Sequence, residues 1–253
     1  MDPIRLAEFI QFAAALAAAW RLMHLKLALR FPALFSWICV LAASNLFAAL
    51  LTHSTGTYFW FYVVYVPVDC IFSFLAVQEL FALTFANYPG IRSAGRWGMY
   101  VGILLATAGS FMVAGLFRPD NSQGSRHLLY LEVSKRSIVF SLAIVIATIL
   151  FFLSRYPLHL GANTYVSGAF FSALFLSDAA RLLMDSLQKF LHSEAVDLAE
   201  ALFVIVCLVT WASLLRPYSP PKKVAPVVSD PGDVHLLGQL NSLNRLLEGA
   251  IRR

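Results

Sequence analysis

A chain of 253 residues that is 59% hydrophobic and only 13% charged, with a formal net charge of +5, cannot clothe a water-soluble core, because a globular surface needs roughly 25% charge to stay solvated. A mean hydropathy of +0.72 and seven long apolar stretches instead describe an all-α polytopic membrane protein with no room for a soluble domain outside its tail.

A hydrocarbon layer about 30 Å thick takes roughly 20 helical residues to cross. On that ruler the sequence predicts spans from Pro3 to Leu22, Ala33 to Leu51, Tyr58 to Phe85, Trp97 to Phe117, Leu128 to Leu153, Leu158 to Leu182 and Val196 to Leu215. The first has a start signal, with Asp2 placed to cap and Pro3 at the first helical position, where its missing N–H costs nothing. No small-residue cleavage site follows the apolar run, so the N-terminus is expected to be retained. Its alanines, Ala13 to Ala15 and Ala17 to Ala19, suit close packing. Span three opens on Tyr58, Phe59, Trp60, Phe61, Tyr62 and Tyr65. Pro67 should free a backbone carbonyl one turn earlier. Asp69 stands eleven residues in, roughly 16 Å at 1.5 Å per residue, the deepest charge in the chain. Glu79 belongs near the far surface, paired with a loop Arg.

In span four, Gly98, Gly102, Ala106, Ser110 and Ala114 fall at every fourth position, a spacing that lets helix backbones approach closely, within the bundle or in a homodimer. Span five opens with Glu132 and Arg136 four apart, and span six ends with Asp178 and Arg181 three apart. Either couple can be a local ion pair. The uncharged part of span seven, Ala201 to Leu215, is too short to cross, so Glu200 and Asp197 must enter the helix. Asp69 and Glu200 have no opposite charge three or four residues away, so each needs a partner from another helix, a ligand or a proton. An ionisable side chain at depth is costly and therefore a functional candidate. Together these residues predict an outward-opening pocket between spans three, five, six and seven, lined by Tyr62, Tyr65, Asp69, Glu132, Arg136, Asp178, Arg181, Asp197 and Glu200.

After the seven-helix domain of residues 1–216, residues 217–232 read as a linker. Residues 233–253 read as an amphipathic helix capped by Asp233, with Leu236, Leu240, Leu243 and Leu247 along one face. Such a helix can lie on the inner leaflet, lie on the cytoplasmic ends of the bundle, dock a partner, or stay disordered.

Orientation follows from Lys and Arg counted by side. One side bears Arg21, Lys26, Arg30, Arg92, Arg96, Arg155, Arg216, Lys222 and Lys223, and its three connections hold no acid. The other bears Arg5, Arg118, Arg126 and Lys189, setting aside Lys135, Arg136 and Arg181 as lying within helices. The basic side reads as cytoplasmic and the N-terminus as outside. Phe31-Pro32, Tyr88-Pro89 and Tyr156-Pro157 mark all three cytoplasmic turns as interfacial. The recurrence of Arg30-Phe31-Pro32 as Arg155-Tyr156-Pro157 allows a three-plus-one-plus-three chain of parallel repeats with span four as linker.

Chemistry offers little else. Cys39, Cys70 and Cys207 all sit in spans, no histidine lies at mid-depth, and no hydrolase, zinc-protease or phosphate-loop motif occurs. No enzyme activity, metal or cofactor is expected, nor a nucleic-acid partner. The seven-helix plan is that of the microbial rhodopsins, but Val196 to Leu215 lacks a lysine for retinal.

Arg30-Phe31-Pro32 after span one, Glu132 and Arg136 opening span five, and Leu215-Arg216-Pro217 before a short amphipathic end give the chain another likeness. It resembles a family of small bacterial seven-helix inner-membrane proteins with no assigned activity. That resemblance implies architecture only; separately, the lack of any N-x-S/T sequon is consistent with a bacterium. The length and the three-plus-one-plus-three plan are also similar to SWEET-type sugar carriers, with Pro32 and Pro157 in the place of two hinge prolines. The expected partners are the bilayer, a small molecule, and a second membrane protein or a second copy. The expected function is receptor- or sensor-like binding, with an accessory subunit or a small-solute carrier as alternatives.

Overall fold

A computed structural model describes residues 3–51, 55–86, 88–116, 126–155, 162–187, 194–217, 238–239 and 241–247. Among them run seven long helices: α1 (Pro3–His24), α2 (Pro32–Leu50), α3 (Thr55–Thr84), α4 (Pro89–Leu116), α5 (Arg126–Arg155), α6 (Ala162–Leu187) and α7 (Glu194–Leu214). Residues 238–239 and 241–247 are helical as well and form the tail helix. The fold is all-α, and Pro3–His24, Pro32–Leu50, Phe59–Thr84 and Val133–Phe151 are long and apolar enough to cross a membrane. This is a membrane protein. A shorter apolar stretch, Leu198–Leu214, fills most of α7.

Helix starts and stops follow local chemistry. Pro32 opens α2 and Pro89 opens α4, where the absent N–H has no helical partner to lose. The start of α4 at Pro89 corrects the expected Trp97: the turns carrying Arg92 and Arg96 are polar and look like loop, yet they are helical. At the end of α1, Lys26 adopts a left-handed φ of 57°. The Leu27 N–H then reaches back to the Leu22 carbonyl at 2.9 Å and the Lys26 N–H to Met23 at 3.0 Å. That pair of bonds closes a helix C-terminus, and its apolar clasp, Leu22 on Leu27, is fully buried. Helix α3 continues through Pro67 without a break.

Six helices form a closed ring in the order α1, α2, α3, α5, α6, α7, while α4 stands outside it against α5 and, lightly, α3. The buried faces of α1, Ala15, Ala18 and Ala19, join Trp37, Leu142, Phe171 and Trp211 in one core cluster. The Trp211 indole stacks on Phe170 with ring centres 4.9 Å apart and its N–H donates to Ser167. The outer position of α4 leaves Gly98 and Gly102 facing open space, with nothing within 4 Å of an added Cβ. The intra-bundle packing expected of this stripe is therefore not seen at either glycine. The Ser110 side chain lies outside the described residues, and Ala106 is half-buried.

At the end of the bundle formed by the α1–α2 turn, polar side chains tie helix termini together. Glu79 of α3 accepts from the Leu34 N–H in the first turn of α2 at 3.0 Å, rather than pairing with a loop Arg. Its carboxylate satisfies an N-terminal amide that would otherwise lack a partner. Asn163 of α6 donates to the Arg216 carbonyl and accepts from the Arg216 N–H, at 2.8 and 2.9 Å. Arg21 donates to the Leu215 carbonyl. From the tail helix, Asn244 accepts from the Gly90 and Ile91 N–H groups at 2.8 and 3.3 Å. It acts as a cap for α4 supplied from 154 residues away. Leu247 packs beside it on the Phe81, Phe85, Ile91, Met99 and Ile149 cluster. Of the expected leucine stripe, Leu247 is engaged and Leu243 is exposed. Leu236, Leu240, Asp233 and nearly all of the linker lie outside the described residues.

Candidate functional site

The opposite half of the bundle, where α1, α3, α5 and α7 begin, is hollow. A cavity of about 470 Å³ lies inside the six-helix ring, within the range of small-molecule sites. Every helix of the ring gives it one face, at the three- and four-residue spacing that stacks side chains along a helix. From α1 come Ile4, Ala7, Glu8 and Gln11, from α2 Trp37, Leu41 and Asn45, and from α3 Tyr65, Asp69 and Ser73. Lys135, Val139 and Leu142 face it from α5, Phe175, Asp178 and Arg181 from α6, and Glu200, Ala201 and Val204 from α7.

The charges divide into two groups. Arg181 Nη1 meets Glu200 Oε2 at 2.9 Å, bridging α6 to α7. This replaces the local Asp178–Arg181 pair that the sequence spacing allowed. Geometry explains the choice: Glu200 enters from the neighbouring helix at the level of Arg181. The second group is centred on Lys135, whose ammonium lies in the field of Asp178 and Asp69, although no ion pair within salt-bridge distance joins it to either. The Trp37 indole N–H approaches the Asp69 carboxylate without reaching hydrogen-bond geometry. Trp37 Nε1, Asn45 Nδ2 and Asp178 Oδ1 are buried and have no hydrogen-bond partner among the described residues. Such atoms cost roughly 1–3 kcal/mol each when left unmade. Two donors and an acceptor are thus held open on a cavity wall.

Of the residues expected to form a pocket, Tyr65, Asp69, Asp178, Arg181 and Glu200 line one cavity. Tyr62 and Arg136 do not line it; Tyr62 lies close enough to Lys135 to interact with its charge, and Arg136 has contacts of its own. The Glu132 and Asp197 side chains lie outside the described residues. The cavity is also wider than expected, because α1 and α2 contribute. Sequence reasoning overlooked Glu8, Gln11, Asn45 and Lys135. Glu8 and Lys135 carried a usable signal, an ionisable residue inside an apolar span; Lys135 was overshadowed by the better-spaced Glu132 and Arg136.

Chemically, this arrangement is suited to holding a ligand. It combines opposite charges, unmet donors and acceptors, and aromatic walls from Trp37, Tyr65 and Phe175. Comparison with family models, curated proteins and solved structures finds no match to this chain.

Proposed function

We propose that the chain crosses the membrane seven times with its N-terminus outside, and that it is receptor- or sensor-like, binding a small molecule in the cavity and reporting through its tail. The observation that carries this reading is the cavity itself: about 470 Å³, entered from six helices, with four carboxylates and two basic side chains on its wall. A structural bundle would fill such a volume with apolar side chains, since buried charge costs more than it returns unless it is used. The tail supports a reporting role. Asn244 holds the first turn of α4, α4 packs on α5, and α5 carries Lys135 into the cavity.

The positive-inside count and the acid-free loops support a cytoplasmic tail and a cavity on the outer side, the side of Ile4 and Leu198. The reading is tested by melting the purified protein in nanodiscs against a set of polar metabolites. At least one should raise the Tm, and Ser73→Trp, whose indole would fill the cavity, should abolish that rise. A set that shifts nothing contradicts the reading.

A second reading, an accessory subunit of a larger membrane complex, draws on the position of α4 outside the ring with Gly98 and Gly102 open to a neighbour. A SWEET-like carrier would in addition need a path through the face where Trp211, Phe170 and Leu22 now close the core.

A further inference from the structure

Among the described residues, the charges on the cavity wall do not balance. Arg181 and Glu200 neutralise each other at 2.9 Å, and Glu8 has contacts of its own. There remain two carboxylates, Asp69 and Asp178, around one ammonium, Lys135. With both carboxylates ionised, one negative charge is left over among the described cavity residues, in the interior of a membrane protein, where an uncompensated ion is among the costliest features a fold can carry. Asp178 Oδ1 is buried with no hydrogen-bond partner among the described residues, so an acceptor stands ready for a donor from outside the chain. Trp37, only 6% exposed, lines the same cavity and turns its indole N–H toward Asp69 without reaching hydrogen-bond geometry. Tyr65 and Phe175 line that cavity as well. Aromatic faces attract cations through their quadrupoles, most strongly where water is excluded.

We propose that the cavity takes a small organic cation, a primary ammonium carried on an aromatic or apolar body, with the ammonium seated between Asp69 and Asp178 and the body against Trp37, Tyr65 and Phe175. This rests on the reading of the cavity as a binding site and specifies what binds there. An anion would pair with Lys135 but enlarge the excess of negative charge; a neutral molecule or a zwitterion would leave the excess unchanged. A monocation removes it.

The test uses full-length protein in nanodiscs and four probes of similar shape: phenethylamine, 2-phenylethanol, 3-phenylpropionate and phenylalanine. Phenethylamine should bind by calorimetry and raise the Tm, with the other three bound much more weakly. Asp178→Asn should weaken phenethylamine roughly thirtyfold or more, the loss expected when one partner of a buried charge pair is removed. Lys135→Met, which removes the competing ammonium, should tighten phenethylamine binding, an effect that general damage to the fold would not produce. The unliganded Tm of each variant identifies any that fails to fold, and Asp69→Asn then stands in for Asp178→Asn. Binding of the alcohol, the acid or phenylalanine as tightly as the amine would overturn the cation and leave the cavity a site. So would failure of all four probes while some metabolite still stabilises the protein in a manner sensitive to Ser73→Trp. If neither the probes nor the metabolites bind, the cation and the binding reading fall together.

Discussion

At the end of the bundle nearest the α1–α2 turn, polar side chains are spent on backbone: Glu79 on Leu34, Asn163 on Arg216, Arg21 on Leu215 and Asn244 on Gly90 and Ile91. In the other half they face one another or open space, as Arg181 faces Glu200 and Lys135 faces Asp69 and Asp178 across a cavity. Both halves place polar groups inside an apolar ring, but only the first satisfies helix ends with them. A helix terminus needs its amides and carbonyls met wherever it is buried, so the first set has a structural cause that is complete in itself. The second set meets no backbone need, and the proposed ligand binding would account for its cost.

Removing one side chain from each half should therefore have different consequences. The largest effect is expected from Arg181→Ala, which takes away the ion-pair partner that Glu200 has on α6. Unfolding in detergent should show a loss of roughly 3 kcal/mol, the lower end for breaking a pair by deleting one partner. Arg181→Met combined with Glu200→Met should recover most of it. If the double replacement is as unstable as the single one, the pair is structural and the contrast between the halves fails. Glu79→Ala should cost about 1–2 kcal/mol by uncapping α2, with Glu79→Gln close to the parent. Ligand binding should be untouched by Glu79→Ala, because Glu79 does not line the cavity. The smallest change is expected at Gly102, where an added side chain meets nothing within 4 Å. Gly102→Leu should leave the monomer unchanged or make it up to about 1 kcal/mol more stable through helix propensity. A fall in stability, or the loss of an oligomer on light scattering, would show that α4 packs against another chain.

Helix positions were largely legible in the sequence, whereas helix facing was not. The expected starts and ends of α1, α2 and α7 lie within two residues of those observed, because a long apolar run with a proline or an acid at its margin has few ways to fold in lipid. The start of α4 was harder to place. Hydropathy marks the part of a helix that suits hydrocarbon, and Pro89 to Arg96 extends beyond it. Facing is read from an apolar stripe opposite a polar one, and α1, α2 and α3 are apolar nearly all round, so the usual contrast is weak. That is why Gln11 and Asn45 gave no hint that they point inward. Asp69 and Glu200 were legible for a different reason, since depth and helix length force them into the bundle. The capping role of Asn244 could not be foreseen, because nothing local relates the tail to Gly90.

The account depends most on the cavity being wet and open toward the outside. With Cys39, Cys70 and Cys207 replaced by serine, Ser177→Cys puts a single thiol on the cavity wall. A membrane-impermeant maleimide added to intact cells should label it, and Ser73→Trp in the same chain should slow that labelling. A thiol that stays unlabelled from both sides, or reacts only in inside-out vesicles, would contradict the account.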